Sequence, residues 1–316
     1  TFTYDTAKPT STVTMPVNGG KYGSMNQLSG TAEDVTSGVD FVETTIQEPG
    51  GKYWDGVSTW TASVQWLLAD YNSVTKVWTY NSNTVPWLNN NTYTIKSKAK
   101  DKAGNEETVY GEASFTCDKD YPSSGITTPQ SGDNRRSLAT IYGTSSDNQG
   151  VSGLKIRIEK VGAGYWDGDS WESSPTWFSA TASDGDGFGE PSEDWKYDVN
   201  FATSPWEHNK SYKIKAQATD IVGLTESGCE VSFTFDTQGP DSTISSPQDA
   251  IPIKSPPTIQ GTASENGPGT IAMVEVSIMR EDNAYWNDGT NNWGTPYEEQ
   301  WNVTYSSTNY NYWVYQ

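Results

Sequence analysis

The stretch Phe115-Thr-Cys-Asp118-Lys-Asp-Tyr-Pro122 decides the fold of this chain because versions of it occur three times. The first copy is Phe2-Thr-Tyr-Asp5-Thr-Ala-Lys-Pro9, and the last is Phe233-Thr-Phe-Asp236-Thr-Gln-Gly-Pro240. The interval from Asp5 to Asp118 is 113 residues, and the interval from Asp118 to Asp236 is 118 residues. Recurrence at a nearly constant period predicts a tandem array of one structural unit.

Three further markers recur between these stretches in a constant order. They are Gly30-Thr31, Gly143-Thr144 and Gly261-Thr262; Tyr53-Trp54-Asp55-Gly56, Tyr165-Trp166-Asp167-Gly168 and Tyr285-Trp286-Asn287-Asp288-Gly289; and Trp78-Thr-Tyr80, Trp195-Lys-Tyr197 and Trp313-Val-Tyr315. This order predicts repeat 1 over residues 6–118, repeat 2 over 119–236 and repeat 3 over 237–316. Residues 1–5 are predicted to end the last strand of a preceding repeat, and repeat 3 is predicted to lack its last strands.

Composition and local pattern predict an all-β chain. Of 316 residues, 33% are hydrophobic, which is low, but 14 Trp, 18 Tyr and 8 Phe bury a large area per residue. Tyr93, Ile95 and Ala99 alternate with polar residues, a period of two with one dry face and one wet face. A repeat of about 115 residues built from such strands is close to the size of one β-sandwich domain.

The charge of the chain limits its partners. Forty acidic and 20 basic residues give a formal net charge of −20. The phosphate backbone of a nucleic acid would be repelled, so no nucleic-acid partner is expected. Cations, calcium above all, are the expected partners, and solubility is the alternative role of the charge. No segment approaches the roughly 20 consecutive apolar residues that a membrane helix needs.

The recurring residues resemble those of bacterial immunoglobulin-like domains. The resemblance is carried by Gly30-Thr-Ala-x-Asp34, by Ala99-x-Asp-x-Ala-Gly-Asn105 and by a closing Phe-x-x-Asp. It extends over the whole chain and implies tandem immunoglobulin-like β-sandwiches from a cell-surface adhesin or another extracellular repeat protein. It also implies calcium at the joints between repeats. The Tyr-Trp-Asp-Gly loop is not part of the general pattern of that family.

In an immunoglobulin-like sandwich the chain enters at the pole that carries the B–C and F–G loops, so linker carboxylates should meet loop carboxylates there. Like charges converging at one pole repel unless a cation neutralises them, and calcium takes about six to eight oxygen ligands. The alternative is that these side chains cap turns of their own backbone. The predicted calcium ligands are Asp5, Asp34, Asp101 and Asn105; Asp118, Asp147 and Asp220; and Asp236 with Glu265.

The aromatic loop of each repeat admits three interpretations. Exposed rings beside Asp and Asn are typical of sugar recognition, whereas rings folded inward would give the long loop its own small core. Lateral stacking between neighbouring chains in a fibre is the third. The residues concerned are Tyr53, Trp54, Trp60, Tyr165, Trp166, Trp171, Tyr285, Trp286 and Trp293.

Other motifs are few. Asn90, Asn209 and Asn302 begin Asn-x-Ser/Thr sequons and are candidate glycosylation sites. The single histidine, His208, has no counterpart in the other repeats, and no nucleophile elbow, phosphate loop or His-rich metal set is present. A catalytic site tends to be singular, whereas the notable features here are repeated. We therefore expect no enzymatic activity.

The sequence thus favours a structural or adhesive segment of a long extracellular, cell-surface or filament-forming protein, acting as a rod-like spacer that calcium stiffens. Its expected partners are neighbouring copies of itself, other repeats of the same chain, and a glycan or cell-surface ligand. The alternative is a carbohydrate-binding accessory region of a secreted polysaccharide-processing protein. Solvent exposure of Trp54, Trp166 and Trp286 separates the two, since rings buried in their own loop favour the array.

Overall fold

The structure is a computed structural model that describes residues 4–199, 205–255, 257–296, 299–306 and 312–315. These residues form strands, turns and loops, and they include no helix. It follows that no helix in the described ranges is long and apolar enough to span a membrane. The prediction of an all-β chain of tandem immunoglobulin-like sandwiches is confirmed.

The strands of repeat 1 are β1 Thr10–Met15, β2 Gly20–Tyr22, β3 Gln27–Glu33, β4 Val39–Gln47, β5 Tyr53–Trp54, β6 Trp60–Thr61, β7 Leu67–Asn72, β8 Val77–Asn81, β9 Thr92–Asp101 and β10 Gly111–Cys117. Those of repeat 2 are β11 Ser123–Thr128, β12 Asp133–Arg135, β13 Thr140–Ser146, β14 Val151–Lys160, β15 Gly164–Trp166, β16 Trp171–Glu172, β17 Phe178–Ser179, β18 Thr181–Ala182, β19 Ser192–Asp198, β20 Lys210–Asp220 and β21 Cys229–Phe235. Those of repeat 3 are β22 Asp241–Ser246, β23 Ile259–Ser264, β24 Glu275–Val276, β25 Ala284–Asn287, β26 Asn292–Pro296, β27 Asn302–Val303, β28 Tyr305–Ser306 and β29 Trp313–Tyr315.

Repeat 1 is a sandwich whose two sheets share one strand. The first sheet has the order β1-β3-β8-β7, and the second has the order β2-β10-β9-β4-β7. The first half of β7 pairs with β4, and its second half pairs with β8. In repeat 2 the same connection is made by two short strands, because β17 pairs with β14 while β18 pairs with β19.

Repeat 3 forms three smaller sheets in its described residues, with the orders β22-β23-β29-β28, β24-β27 and β25-β26. Each of the three repeats has its own cluster of buried apolar side chains. Every sheet in the described ranges stays inside one predicted repeat. The boundaries at residues 118 and 236 stay predictions.

Two of the recurring sequence markers form a single packing unit. The indole of Trp78 is fully buried and donates from Nε1 to the carbonyl of Thr12 at 3.0 Å. A Cβ on Gly30 would lie 2.5 Å from that Nε1 and 1.8 Å from the Thr12 oxygen. Gly143 with Trp195, and Gly261 with Trp313, have the same close approach. The glycine recurs because the tryptophan leaves no room for a side chain.

The strand prediction for the β9 type is confirmed by its burial. Tyr93, Ile95 and Ala99 are fully buried, and their counterparts on β20 are buried equally. The ring of Tyr93 stacks on that of Phe115, with centroids 5.7 Å apart. Burial of one such aromatic side chain contributes about 1.5–3 kcal/mol, so these rings hold the second sheet against the first.

Candidate metal centre at the joints

The second joint cluster consists of Asp118, Asp147 and Asp220. Asp118 follows β10, Asp147 follows β13, and Asp220 is the last residue of β20. One carboxylate oxygen from each lies within 4.8 Å of those of the other two, and the residues are 0%, 7% and 1% exposed. The sandwich topology therefore brings together the linker and the two loops, as the sequence predicted for these three residues.

Each of these carboxylates caps a turn with one oxygen. Asp147 Oδ1 accepts the backbone N–H of Gln149 at 2.8 Å, and Asp220 Oδ1 accepts that of Leu224 at 2.8 Å. Asp118 Oδ1 accepts the N–H of Asp120 at 3.2 Å. The capping role that the sequence left as an alternative is thus present, and it uses only one of the two oxygens of each carboxylate.

The other oxygen of each carboxylate has no partner. The Oδ2 atoms of Asp118, Asp147 and Asp220 are buried and form no hydrogen bond with any described residue. A buried charged oxygen left unpaired costs on the order of 1–3 kcal/mol or more. Two unit charges about 4 Å apart repel by roughly 4 kcal/mol at an effective dielectric constant near 20. A cation among the three oxygens would remove both penalties.

The electrostatics of Asp118 reflect this crowding. Burial raises the pKa of its carboxyl, the Asp120 N–H hydrogen bond lowers it, and the charges of Asp147 and Asp220 raise it further. Asp118 and Leu224 also line a cleft of about 740 Å³ at the joint. A hard cation with oxygen ligands, such as calcium, suits this donor set.

The first joint cluster consists of Asp5, Asp34 and Asp101, whose carboxylate oxygens also lie within 4.8 Å of one another. Asp34 Oδ1 accepts the N–H groups of Ser37 at 2.8 Å and Gly38 at 2.9 Å. In this cluster the Oδ2 of Asp5 is the buried oxygen without a partner among the described residues.

Asn105 distinguishes the first cluster from the second. Its Nδ2 donates to Asp101 Oδ2 at 2.8 Å and to the Asp5 carbonyl at 3.2 Å, and its backbone N–H donates to Asp101 Oδ1 at 2.8 Å. Burial raises the pKa of Asp101, and the hydrogen bonds from Asn105 outweigh it, so that the pKa is lowered. The equivalent position in repeat 2 is Leu224, which offers no side-chain donor.

The third predicted set is only partly assembled in the described residues. Asp236 and Glu265 both approach Gly269, where a Cβ would lie 3.2 Å from Asp236 Oδ2 and 3.6 Å from Glu265 Oε2. His208 Nδ1 lies 3.4 Å from Asp236 Oδ1 and accepts the N–H of Thr237 at 3.2 Å. In repeat 1, Asn89 Oδ1 accepts the N–H of Lys119 at 2.7 Å in the same way. His208 therefore serves as a cap on the linker.

The aromatic loops form hairpins with paired indoles. Trp54 packs edge-on against Trp60, with ring centroids 5.4 Å apart, and Trp286 packs edge-on against Trp293 at 5.6 Å. The rings of Trp166 and Trp171 are tilted against each other at 5.3 Å. Trp54 and Trp166 are only 1% and 7% exposed, and Trp60 stacks on the core residue Tyr93. Trp54 and Trp166 therefore form a small core for their loops and offer little surface for a sugar. Trp286, the third ring of this set, is partly exposed.

In repeats 1 and 2 the Asp residues of the hairpins are turn caps. Asp55 Oδ1 accepts the N–H groups of Val57, Ser58 and Thr59, and these hydrogen bonds, that of Thr59 foremost, lower the pKa of Asp55. Asp167 accepts the N–H groups of Asp169 and Ser170 in the same manner. The Asp-Gly pair recurs because it closes this tight turn.

The sequon asparagines have structural roles. Asn90 and Asn209 adopt positive φ angles of 60° and 56°, a conformation that Asn tolerates well. Asn302 is 6% exposed, and its amide donates to the carbonyls of Val276 and Trp286 while its Oδ1 accepts the N–H of Asp288. A glycan on Asn302 would break these bonds in the folded chain.

Sequence reasoning missed a buried carboxylate. Glu107 is 5% exposed and accepts the N–H of Ser11 at 2.8 Å, the Ser11 hydroxyl at 2.6 Å and the N–H of Ala99 at 2.9 Å. Glu226 accepts the N–H of Ala218 at 2.9 Å in repeat 2. A glutamate two residues after Asn105 and two after Leu224 was the available signal. Its role is to tie β1 to β9.

Comparisons with known proteins add little. No protein-family model matches the chain, and no curated protein matches it. Solved structures with similar folds include fibronectin(III)-like modules of CbhA from Clostridium thermocellum, at 13% identity over 72% of this chain and 94% of that one, with a TM-score of 0.32. A tetra-tandem repeat from the extending region of a large adhesion protein has 14% identity over 98% and 65%, with a TM-score of 0.29.

The first three fibronectin domains of chicken CNTN1 have 16% identity over 72% of this chain and 69% of that one, with a TM-score of 0.28. TM-scores near 0.3 do not bear on function. The sandwich architecture of this chain rests on its own sheets and cores.

Proposed function

We propose that the chain is a non-catalytic, rod-like spacer of an extracellular repeat protein, in which calcium closes the joints between sandwiches. The observation that carries the proposal is the second joint cluster, in which three buried carboxylates each leave one oxygen without a hydrogen bond. Capping alone would need only one oxygen of each side chain, so capping leaves the other three unexplained.

Calcium at this position would act on the angle between two repeats. Asp118 belongs to the linker, whereas Asp147 and Asp220 belong to the pole of repeat 2 that faces it. Two hydrogen bonds between described residues also cross this joint: Lys21 Nζ donates to the Gln149 carbonyl at 2.5 Å, and Asn148 Nδ2 donates to Asn90 Oδ1. An ion bound by all three carboxylates would fix the linker to repeat 2 and reduce hinge motion.

A spacer outside the cell agrees with the remaining features. The net charge of −20 keeps the surface solvated and favours cations over nucleic acids. Extracellular calcium-binding modules operate at about 0.1–1 mM calcium, a range that a site with few ligands matches. Neighbouring repeats and copies of the same chain are the proposed structural partners.

The test is calcium titration of the metal-depleted chain. Wild type is expected to bind calcium, as measured by isothermal titration calorimetry. Small-angle scattering should show a narrower range of molecular dimensions with calcium than without it. Asp147→Asn keeps a carbonyl oxygen for the turn and removes one charge, so it should abolish binding at this joint. Asp169→Asn, at an exposed hairpin position, is the matched control. Absence of calcium binding by wild type would overturn the proposal.

A further inference from the structure

The outer face of β14, β20 and β21 carries a cluster of positive charge on a chain that is otherwise acidic. Lys155 and Arg157 lie on β14, and Lys213 and Lys215 lie on β20. Arg157 and Lys215 are direct partners across the two strands. Like charges placed opposite each other on a sheet are destabilising. The acidic side chain beside this pair is Glu230 of β21, the register partner of Lys215.

The acidic side chains on this face neutralise only part of the cluster. Glu230 forms an ion pair with Lys213 at 3.1 Å and lies 3.9 Å from Arg157, at the limit of an ion pair. Glu159 is the register partner of Lys213. Lys155 and Lys215 form no ion pair within the described part of the chain. Four cations thus share two carboxylates on rigid strands.

Arg157 is held in place by aromatic rings. Its Cζ lies 5.0 Å from the ring centroid of Tyr165 and 5.5 Å from that of Trp177. The side chain is 21% exposed, and its guanidinium makes no hydrogen bond among the described residues. A guanidinium has five N–H donors in a fixed plane, and two rings orient this one without using any of them.

Repeat 1 has the same framework without the charge. Trp66 and Trp177 occupy equivalent positions. Trp66 directly precedes β7, which pairs with β4, and Trp177 directly precedes β17, which pairs with β14. Thr45 stands where repeat 2 has Arg157, and Glu43 stands where it has Lys155. Lys98 lies 4.5 Å from the Trp66 ring, but it is paired with Glu43 at 2.9 Å. The cation on this face of repeat 1 is therefore already paired with a carboxylate of the same repeat.

We propose that the outer face of repeat 2 binds a short uronate-bearing saccharide, with Arg157 as the main contact. A planar carboxylate matches the free edge of the guanidinium, and Lys155 and Lys215 extend the positive field along the strands. The rings of Tyr165 and Trp177, both partly exposed, give the C–H face of a sugar an apolar surface.

A saccharide suits this face better than a second copy of the chain. Two copies that each carry a charge of −20 repel over the whole approach, whereas a short oligouronate brings only a few charges. The site does not use the Trp-Trp hairpin pairs, of which Trp54 and Trp166 are buried in their own loops, and it goes beyond the proposed spacer role. Its ligand would give the spacer an adhesive surface.

The experiment uses the full chain in excess EGTA, with oligogalacturonate as the probe and a neutral oligosaccharide of similar length as the comparison. Binding is measured by affinity electrophoresis and by calorimetry. Wild type is expected to bind the uronate probe only, with an affinity that falls as salt rises. Arg157→Thr, which copies Thr45 of repeat 1, is expected to weaken binding at least tenfold.

Lys98→Thr is the matched control, because it removes one cation stacked on the equivalent tryptophan of repeat 1; binding should change less than twofold. Arg157→Lys keeps the charge and loses the planar fork, so an intermediate loss of affinity is expected. This variant replaces Arg157→Thr as the test if circular dichroism shows that Arg157→Thr folds poorly. Equal binding of the neutral probe, unchanged binding by the Arg157 variants, or uronate binding that appears only when calcium replaces EGTA would each overturn the proposal. If wild type forms dimers that the Arg157→Thr substitution dissociates, and if it does not bind uronate, the proposal is overturned in favour of a second copy of the chain.

Discussion

The two joint clusters have the same three aspartates in the same places and differ in what neutralises them. In the first cluster, Asn105 donates to Asp101 Oδ2 and to the Asp5 carbonyl. In the second cluster, Leu224 replaces that amide, and all three Oδ2 atoms remain unpaired. The Asn105 amide donates hydrogen bonds at a place where the second cluster has no donor, so we expect the two joints to differ in their dependence on metal.

The largest expected effect is that of metal removal on repeat 2. Calcium at about 100 times its dissociation constant should stabilise the repeat that binds it by roughly 2.7 kcal/mol. For a unit of this size we expect the melting transition to rise by about 5–10 °C between EGTA and calcium. Differential scanning calorimetry checks this, with magnesium as the comparison ion. Equal transitions in EGTA and calcium would contradict the cation role.

Replacing the amide in the first cluster should have the next largest effect. Asn105→Leu copies repeat 2 and leaves buried acceptors on Asp101 and Asp5 unpaired, which should destabilise repeat 1 by about 1–3 kcal/mol in EGTA. Calcium should restore much of the loss, since it would occupy the space among the three carboxylates. Urea denaturation in both conditions measures it. A loss that calcium leaves untouched would mean that the amide acts only as a turn former.

The reverse substitution should have a smaller effect of opposite sign. Leu224→Asn supplies repeat 2 with a donor for its unpaired oxygens, and we expect a gain of about 1 kcal/mol in EGTA. The melting shift caused by calcium should shrink accordingly. The same denaturation series measures both quantities, with Val222→Asn, on the same loop, as the control. A Leu224→Asn chain with wild-type calcium response would break the analogy between the two clusters.

The pH dependence without metal should show the smallest difference. The pKa of Asp118 is raised on folding, so its contribution to stability is fully present below its unfolded pKa and is lost as pH rises through the folded value. The pKa of Asp101 is lowered, so its contribution is present above the unfolded pKa and is lost as pH falls through the folded value.

Acidification from pH 7 toward pH 4 in EGTA should therefore raise the stability of repeat 2 relative to that of repeat 1. Asp118→Asn should remove the pH-dependent part for repeat 2, because the amide does not ionise. Thermal melts at half-unit pH intervals provide the measurement, and calcium should reverse the trend by favouring the ionised carboxylates. Parallel pH profiles for Asp118→Asn and wild type would show that another group controls the titration.

The period of the array, the alternating strands and the meeting of Asp118, Asp147 and Asp220 could all be read from the sequence. Alternation of Tyr93, Ile95 and Ala99 follows from the pleat of a strand, and the recurring Gly30 and Trp78 reflect one close contact in every copy. These features are local or repeated, so a single chain reveals them. The tertiary structure alone decided which atoms remain free.

Three features depend on how side chains pack in a limited space: the burial of Trp54 and Trp166 in their own hairpins, the donor role of Asn105, and the contacts of Arg157 with Tyr165 and Trp177. Composition cannot show whether a carboxylate oxygen or a guanidinium edge has found a partner. The pairing depends on strands and loops that lie far apart in the chain and meet only after folding.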